Sequence, residues 1–133
     1  MQRHGEDRPV RTSQQRRGDS TEVLVAAQLA ASSWTILGRQ VRVGRAELDI
    51  VAIDPGPPAN LVVVEVRFRR NRDFGLPEET IDHRKLARLR TAAHALRALG
   101  RLPDGTPWPP LPLRLDIVVI EPGKPLRHYR HVG

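Results

Sequence analysis

The sequence predicts a single α/β domain in which helices flank a sheet of four or five strands. Three observations lead there. A helical stretch near the amino end precedes three strand-like runs joined by short turns. A second, amphipathic helix then separates those runs from a further strand. Finally, 133 residues with 39% hydrophobic and 28% charged content suffice for one modest core.

Composition also excludes several function classes. No apolar run approaches the roughly 20 residues that span a membrane, and the amino end lacks the pattern of a signal peptide. Zero cysteines leave no disulfide, thiolate metal site or cysteine nucleophile. The expected location is the cytoplasm, with no membrane partner.

Residues 1–18 are polar, without apolar periodicity, and end in Arg16 and Arg17; they are expected to form a disordered basic arm. The domain proper is expected over 19–121. Asp19 has the chemistry of an N-cap and Glu22, three residues on, completes a capping-box pattern. The first helix should then run to Ser33, with Leu24, Ala27 and Ala31 inward, Val23, Ala26 and Ala30 widening that stripe, and Trp34 as a core anchor. Thr35–Val43 reads as a first strand, Gly44–Arg45 as a tight turn, and Ala46–Asp54 as a second strand. The prolines of DPGPPAN (54–60) fix φ and remove donors, which forces a turn. Leu61–Arg69 is the third strand, and its Val62–Val63–Val64 run marks it as central. After a loop, Asp82 should cap a second helix whose Leu86, Leu89, Ala93 and Leu96 recur at helical spacing until Gly100. His83 and His94 on this helix read as surface residues, and Trp108 in the following proline loop as packing. Leu113–Ile120 is another strand. The tail 122–133 offers only a short edge strand near Arg127–Val132.

Strands two and three carry charge where a buried sheet should have none. Glu47 and Asp49 alternate onto one face of the second strand, and Glu65 and Arg67 onto one face of the third. An unpaired buried carboxylate costs several kcal/mol, so three of them require a partner or a cation. Residues opposite one another on paired strands have Cβ atoms about 5 Å apart, close enough for Asp49 and Glu65 to share an ion. Oxygen ligands without sulfur or imidazole suit Mg²⁺ or Mn²⁺. Such an ion, with water and substrate phosphate, is the apparatus of phosphodiester hydrolysis, and Arg67 adds a fixed positive charge. The competing reading is a metal-free ion-pair network of Glu47, Asp49, Glu65 and Arg67.

The net charge of +7 is concentrated. Arg67–Arg101 holds ten basic residues against four acidic ones. Arg69, Arg70, Arg72, Arg84, Lys85 and Arg88 form its first part. A basic surface beside acidic strands points to a polyanion, with nucleic acid first and DNA foremost. The alternative is a solvated face in an arginine-rich chain, in which Arg outnumbers Lys 20 to 2.

The order Glu22, GRAELDIVAID, VVVEVRFR, FG and IDHRKLARL, with the late RLDIVVI strand, resembles the YraN family of small bacterial proteins. That family is similar to the PD-(D/E)XK nucleases, in particular those of the Holliday-junction-resolvase type. The resemblance implies a restriction-endonuclease-like α/β fold: a mixed sheet of four or five strands flanked by helices. It implies a metal-dependent endonuclease in which Asp49, Glu65 and Glu22 hold the metal. Arg67 stands in the place of the motif lysine and Lys85 matches a family lysine at the start of the second helix. Glu47 and Asp116 are expected in support, Asp116 by holding an arginine or shaping the site. Arginine stays charged and cannot act as the base a lysine can become, so either another group, with Lys85 the obvious substitute, handles the proton, or the same residues form a nucleic-acid-binding module with weak or no catalysis. Two cuts across a junction would require a homodimer, although no stretch announces an interface.

Overall fold

The computed structural model describes residues 13–69 and 82–132. The elements are α1 (Ser13–Ala31), β1 (Thr35–Val43), β2 (Ala46–Asp54), β3 (Asn60–Phe68), α2 (His83–Leu99), β4 (Leu113–Ile120) and β5 (Arg127–Tyr129). The five strands form one mixed sheet in the order β1-β2-β3-β4-β5. The first three make an antiparallel meander, β3 and β4 are parallel through the α2 crossover, and β5 returns antiparallel. This is the mixed sheet with flanking helices that the sequence predicts.

Strand alternation distributes the core onto two faces. Leu61, Val63, Leu115, Ile117 and Val119 pack with Leu86, Leu89, Ala93 and Leu96 of α2. Val62, Val64, Ile50, Ala52 and Val118 pack with Val25, Ala26 and Leu29 of α1 and with Trp34. The two helices therefore cover opposite faces. Trp34 and Trp108 are both buried, as packing residues should be.

Local chemistry fixes the ends of α2. Asp82 accepts hydrogen bonds from Arg84 N and Lys85 N, and Gly100 closes the helix in the left-handed region, φ 77°. The β2–β3 turn depends on Gly56, φ 66°, where a Cβ would come within 2.0 Å of Pro58 O.

The amino-terminal helix departs from expectation. It starts at Ser13, so residues 13–18 are helical where an arm was predicted. Asp19 then lies inside α1 and is not its N-cap, which also removes the capping-box role of Glu22. The inward face is also different. Thr21, Glu22, Val25, Ala26 and Leu29 are buried, whereas Leu24, Ala27 and Ala31 are exposed along with Val23. The stretch Val23–Ala31 is apolar nearly all round, so periodicity admits more than one face. Packing against β2 and β3 selects the face that carries Glu22.

A polar clamp holds the carboxyl-terminal segment. Arg114 Nε and Nη2 donate to Asp116 Oδ1 and Oδ2, each at 2.9 Å, and Nη2 also reaches Asp54 Oδ2 at 2.9 Å. His128 Nε2 lies 2.8 Å from Asp116 Oδ2, and His131 N donates to Oδ1 at 3.0 Å. Arg114 and Arg130 stand over the Trp34 ring at 5.6 and 5.8 Å. Burial alone would raise the Asp116 pKa, but His128, Arg114 and the His131 amide together hold it below the usual carboxylate range. Asp116 thus holds Arg114.

A carboxylate with a lowered folded pKa contributes stability above its unfolded pKa and loses it as pH falls through the folded value. Stability should therefore drop as pH is taken below about 4. Asp116→Ala leaves Arg114 buried beside one fewer anion and should cost about 3 kcal/mol at neutral pH. Urea unfolding of the two proteins across pH measures both effects.

Candidate functional site

The sheet opens at one point. The β2–β3 ladder runs from Asp54↔Asn60 to Ile50↔Val64. Beyond it β2 continues against β1 as far as Ala46, and β3 continues against β4 as far as Phe68. Past Ile50↔Val64 the two strands are no longer paired with each other, which leaves a cleft in the ladder. Glu47 and Asp49 line one lip, and Glu65 and Arg67 the other.

Asp49 spans the gap. Its Oδ2 accepts the Val66 N–H at 2.9 Å, so a side chain satisfies a backbone donor that the ladder no longer reaches. Its pKa is pushed up to about 8, first by burial, then by the charge of Glu65 and a hydrogen bond shared with that carboxyl; Glu22 adds a smaller rise, and the Val66 amide opposes it. The Asp49 carboxyl thus keeps its proton well above the usual carboxylate range.

The flanking helices bring charge to the same cleft from opposite faces. Glu22, 8% exposed, comes from α1. Carboxylate oxygens of Glu22, Glu47 and Asp49 lie within 4.8 Å of one another. From α2, Lys85 Nζ is 2.5 Å from Glu65 Oε2, while Arg67 Nε is 3.5 Å from the same oxygen. Glu47 also faces Arg42, its Oε2 lying 3.7 Å from Arg42 Nε.

The residues singled out in the sequence therefore divide. Glu22, Glu47, Asp49, Glu65, Arg67 and Lys85 converge. Glu47, predicted as a supporting residue, belongs to the acidic cluster that could hold a metal ion. Glu65 is placed against Lys85 and Asp49 and is not one of that cluster's three members. Asp116 stands on the α1 face with Arg114 and His128, where Val64 and Val118 also lie. Arg84 and Arg88 are exposed on α2 and Arg69 is half-buried. Arg70 and Arg72 lie outside the described residues. Glu47 could have been found from its i, i+2 spacing with Asp49, but the opening of the sheet that brings it to Glu22 has no local sequence signal.

The donor set fits a hard divalent cation. It offers carboxylate oxygens alone, from β2 and α1. No helix among the described residues is long and apolar enough to cross a membrane.

Residues 21–120 match the model of the family described as "Uncharacterised protein family UPF0102". Similar proteins, each named a UPF0102 protein, include one from Roseiflexus castenholzii, 43% identical over 108 residues and covering 81% of both chains. Another, from Symbiobacterium thermophilum, is 39% identical over 107 residues, or 80% of this chain and 82% of its own. A third, from Lachnoclostridium phytofermentans, is 37% identical over 103 residues, 77% of this chain and 80% of its own.

A raised folded pKa destabilises as pH rises from the unfolded value to the folded one. Without divalent ions, Asp49→Asn should therefore match the unsubstituted protein below about pH 4 and exceed it by about 1–3 kcal/mol above about pH 8, the partial exposure of the site being allowed for. Mg²⁺ or Mn²⁺ should raise the melting temperature of the unsubstituted protein and leave that of Asp49→Asn nearly unmoved. Thermal unfolding with and without EDTA reads both.

Proposed function

We propose that this chain, which belongs to the UPF0102 (YraN) family, is a metal-dependent endonuclease of the PD-(D/E)XK type that hydrolyses phosphodiester bonds in DNA, branched DNA being one candidate substrate. One observation carries the reading. Four carboxylates and a lysine, contributed by α1, β2, β3 and α2, meet where β2 and β3 part.

Asp49, with Glu22, Glu47 and Glu65 around it, would hold Mg²⁺ or Mn²⁺. When bound, such an ion activates a water and offsets charge on the phosphate under attack. The chain's own groups do the rest. Arg67 keeps a fixed charge facing the scissile phosphate and moves no proton. Lys85 lies against Glu65 from the opposite helix, so it can take the proton-handling role that arginine at position 67 leaves open. Arg84 and Arg88, exposed on the same helix as Lys85, would grip the backbone by charge, making binding fall steeply with salt. Paired cuts across a junction would bring two copies together as a homodimer.

The second reading is favoured by one residue. Arg67, where the motif has lysine, suits a nucleic-acid-binding module that has lost cleavage.

Labelled branched and linear DNA, incubated with Mg²⁺ or Mn²⁺, separates these readings. Cleavage should fall about 100-fold or more in Asp49→Ala and in Glu65→Ala. Cleavage that survives both substitutions comes from a contaminant and ends the enzyme reading. Binding without cleavage in either metal selects the module. Lys85→Arg should keep DNA affinity, lower kcat about 10- to 100-fold and alter the pH–rate profile, whereas Arg67→Lys should retain or raise activity.

A further inference from the structure

Sheet register extends the basic surface to a strand that no charge run in the sequence marks. Parallel pairing sets Arg67 beside Val119, and antiparallel pairing sets Val119 beside Arg127. Residues directly opposite on neighbouring strands share a face. Val119 packs on the α2 side, as does Tyr129, two residues beyond Arg127. Arg127 therefore lies on the same face as Glu65 and Arg67. Two strand spacings separate Arg127 from Arg67, about 10 Å. Arg69 continues the alternation of Glu65 and Arg67, with its backbone N–H bonded to Ile120 O at 2.8 Å.

Two of these guanidinium groups each keep a buried nitrogen without a hydrogen-bond partner among the described residues. Among the described residues, buried Arg67 Nε and Arg69 Nη1 make no hydrogen bond; the 3.5 Å approach of Arg67 to Glu65 is an ion pair without hydrogen-bond geometry. Arg127 Nη2 has Glu121 Oε1 at 3.9 Å, an ion pair beyond hydrogen-bond distance. A buried guanidinium N–H without an acceptor carries a desolvation cost that an incoming anion removes. Three arginines in a row are spaced to meet a chain of anions.

We propose that Arg67, Arg69 and Arg127 form one phosphate-binding track that carries a nucleic-acid strand away from the acidic centre across the ends of β3, β4 and β5. The track rests on the nucleic-acid reading given above and adds its direction. The substrate backbone crosses the sheet edge at β5, on the side of the cleft opposite β1. Arg127 is then a binding residue that holds a phosphate one or two nucleotides from the site of attack.

Equilibrium binding of labelled single-stranded and branched DNA, with Ca²⁺ replacing Mg²⁺ so that hydrolysis does not interfere, tests the track. Arg127→Gln, which keeps most of the aliphatic stem, and Arg69→Gln should each raise Kd about 3- to 30-fold and lower the log–log salt slope by about one. Arg127→Lys should keep the slope. Arg39→Gln, on the exposed opposite edge strand, removes the same charge and should change neither quantity. Thermal unfolding confirms that each variant is folded. A folded Arg127→Gln with unchanged Kd and slope overturns the track while leaving the nucleic-acid reading standing. An unsubstituted protein that binds no DNA overturns both. DNA binding that depends on Arg127, in a protein that never cleaves, supports the track and removes only the enzymatic reading.

Discussion

Where the ladder between β2 and β3 stops at Ile50↔Val64, a carboxylate takes over from the backbone. Asp49 accepts the Val66 N–H, and the rest of the site depends on that one substitution of side chain for main chain. If β2 and β3 stayed paired to their ends, Glu47 and Asp49 would lie in a closed sheet with no room for a ligand between strands. If they parted without Asp49, a buried donor would be left without an acceptor on a central strand. The cleft is therefore held open by the residue that is also placed to use it. The same arrangement explains why Asp49 is costly: it is half-buried beside Glu65, and its pKa is pushed up to about 8. The fold carries a carboxyl whose ionised form is disfavoured at a place where a cation would favour it.

The helices supply what the sheet alone lacks. Covering opposite faces, α1 and α2 reach the cleft from two directions, with acid from α1 and base from α2. Glu22 enters with the buried face of α1, at the expense of exposing Val23 and Leu24 at 49% each. A helix placed only to maximise apolar burial would have turned Leu24 inward. On α2, Asp82 caps the first turn through the amides of Arg84 and Lys85. The cap fixes the position of the lysine as well as the helix start, because Lys85 Nζ then meets Glu65. Fold stability and site geometry share those bonds.

Much of this was legible in the sequence because it follows from short-range rules. The bounds of β1, β2 and β4, the proline turn, the caps of α2 and its buried stripe all come from alternation, helical spacing and turn chemistry, and the structure agrees with them. Asp49 and Glu65 also stood out, as charges in strands too apolar to hold them cheaply. The face of α1 was not legible. From Val23 to Ala31 nearly every position is apolar, so the 3.6-residue period selects no single stripe, and the choice is made by β2 and β3. Glu47's place beside Glu22 depends on the sheet opening, a long-range event. The Asp54–Arg114–Asp116–His128 clamp likewise joins β2, β4 and β5 across the fold. Its signal was limited to an acid and an arginine two residues apart in one strand.

The exchange at position 67 acquires a different meaning once Lys85 is located. Read along the chain, arginine in the place of a motif lysine looks like a loss, because a guanidinium cannot give up its proton. In space, the cleft still has a lysine on the same carboxylate, arriving from a helix instead of a strand. The two cations on Glu65 are not equivalent: Arg67 sits farther away with a buried Nε lacking a hydrogen bond, whereas Lys85 makes the close contact. In the proposed reading, arginine at 67 would meet an external anion, while lysine at 85 is the one tied to the acid. A strand lysine would have had to serve both needs from one position. Dividing them between β3 and α2 keeps one charge permanent while an amine stays beside the carboxylates, the division of roles that the proposed hydrolysis would use.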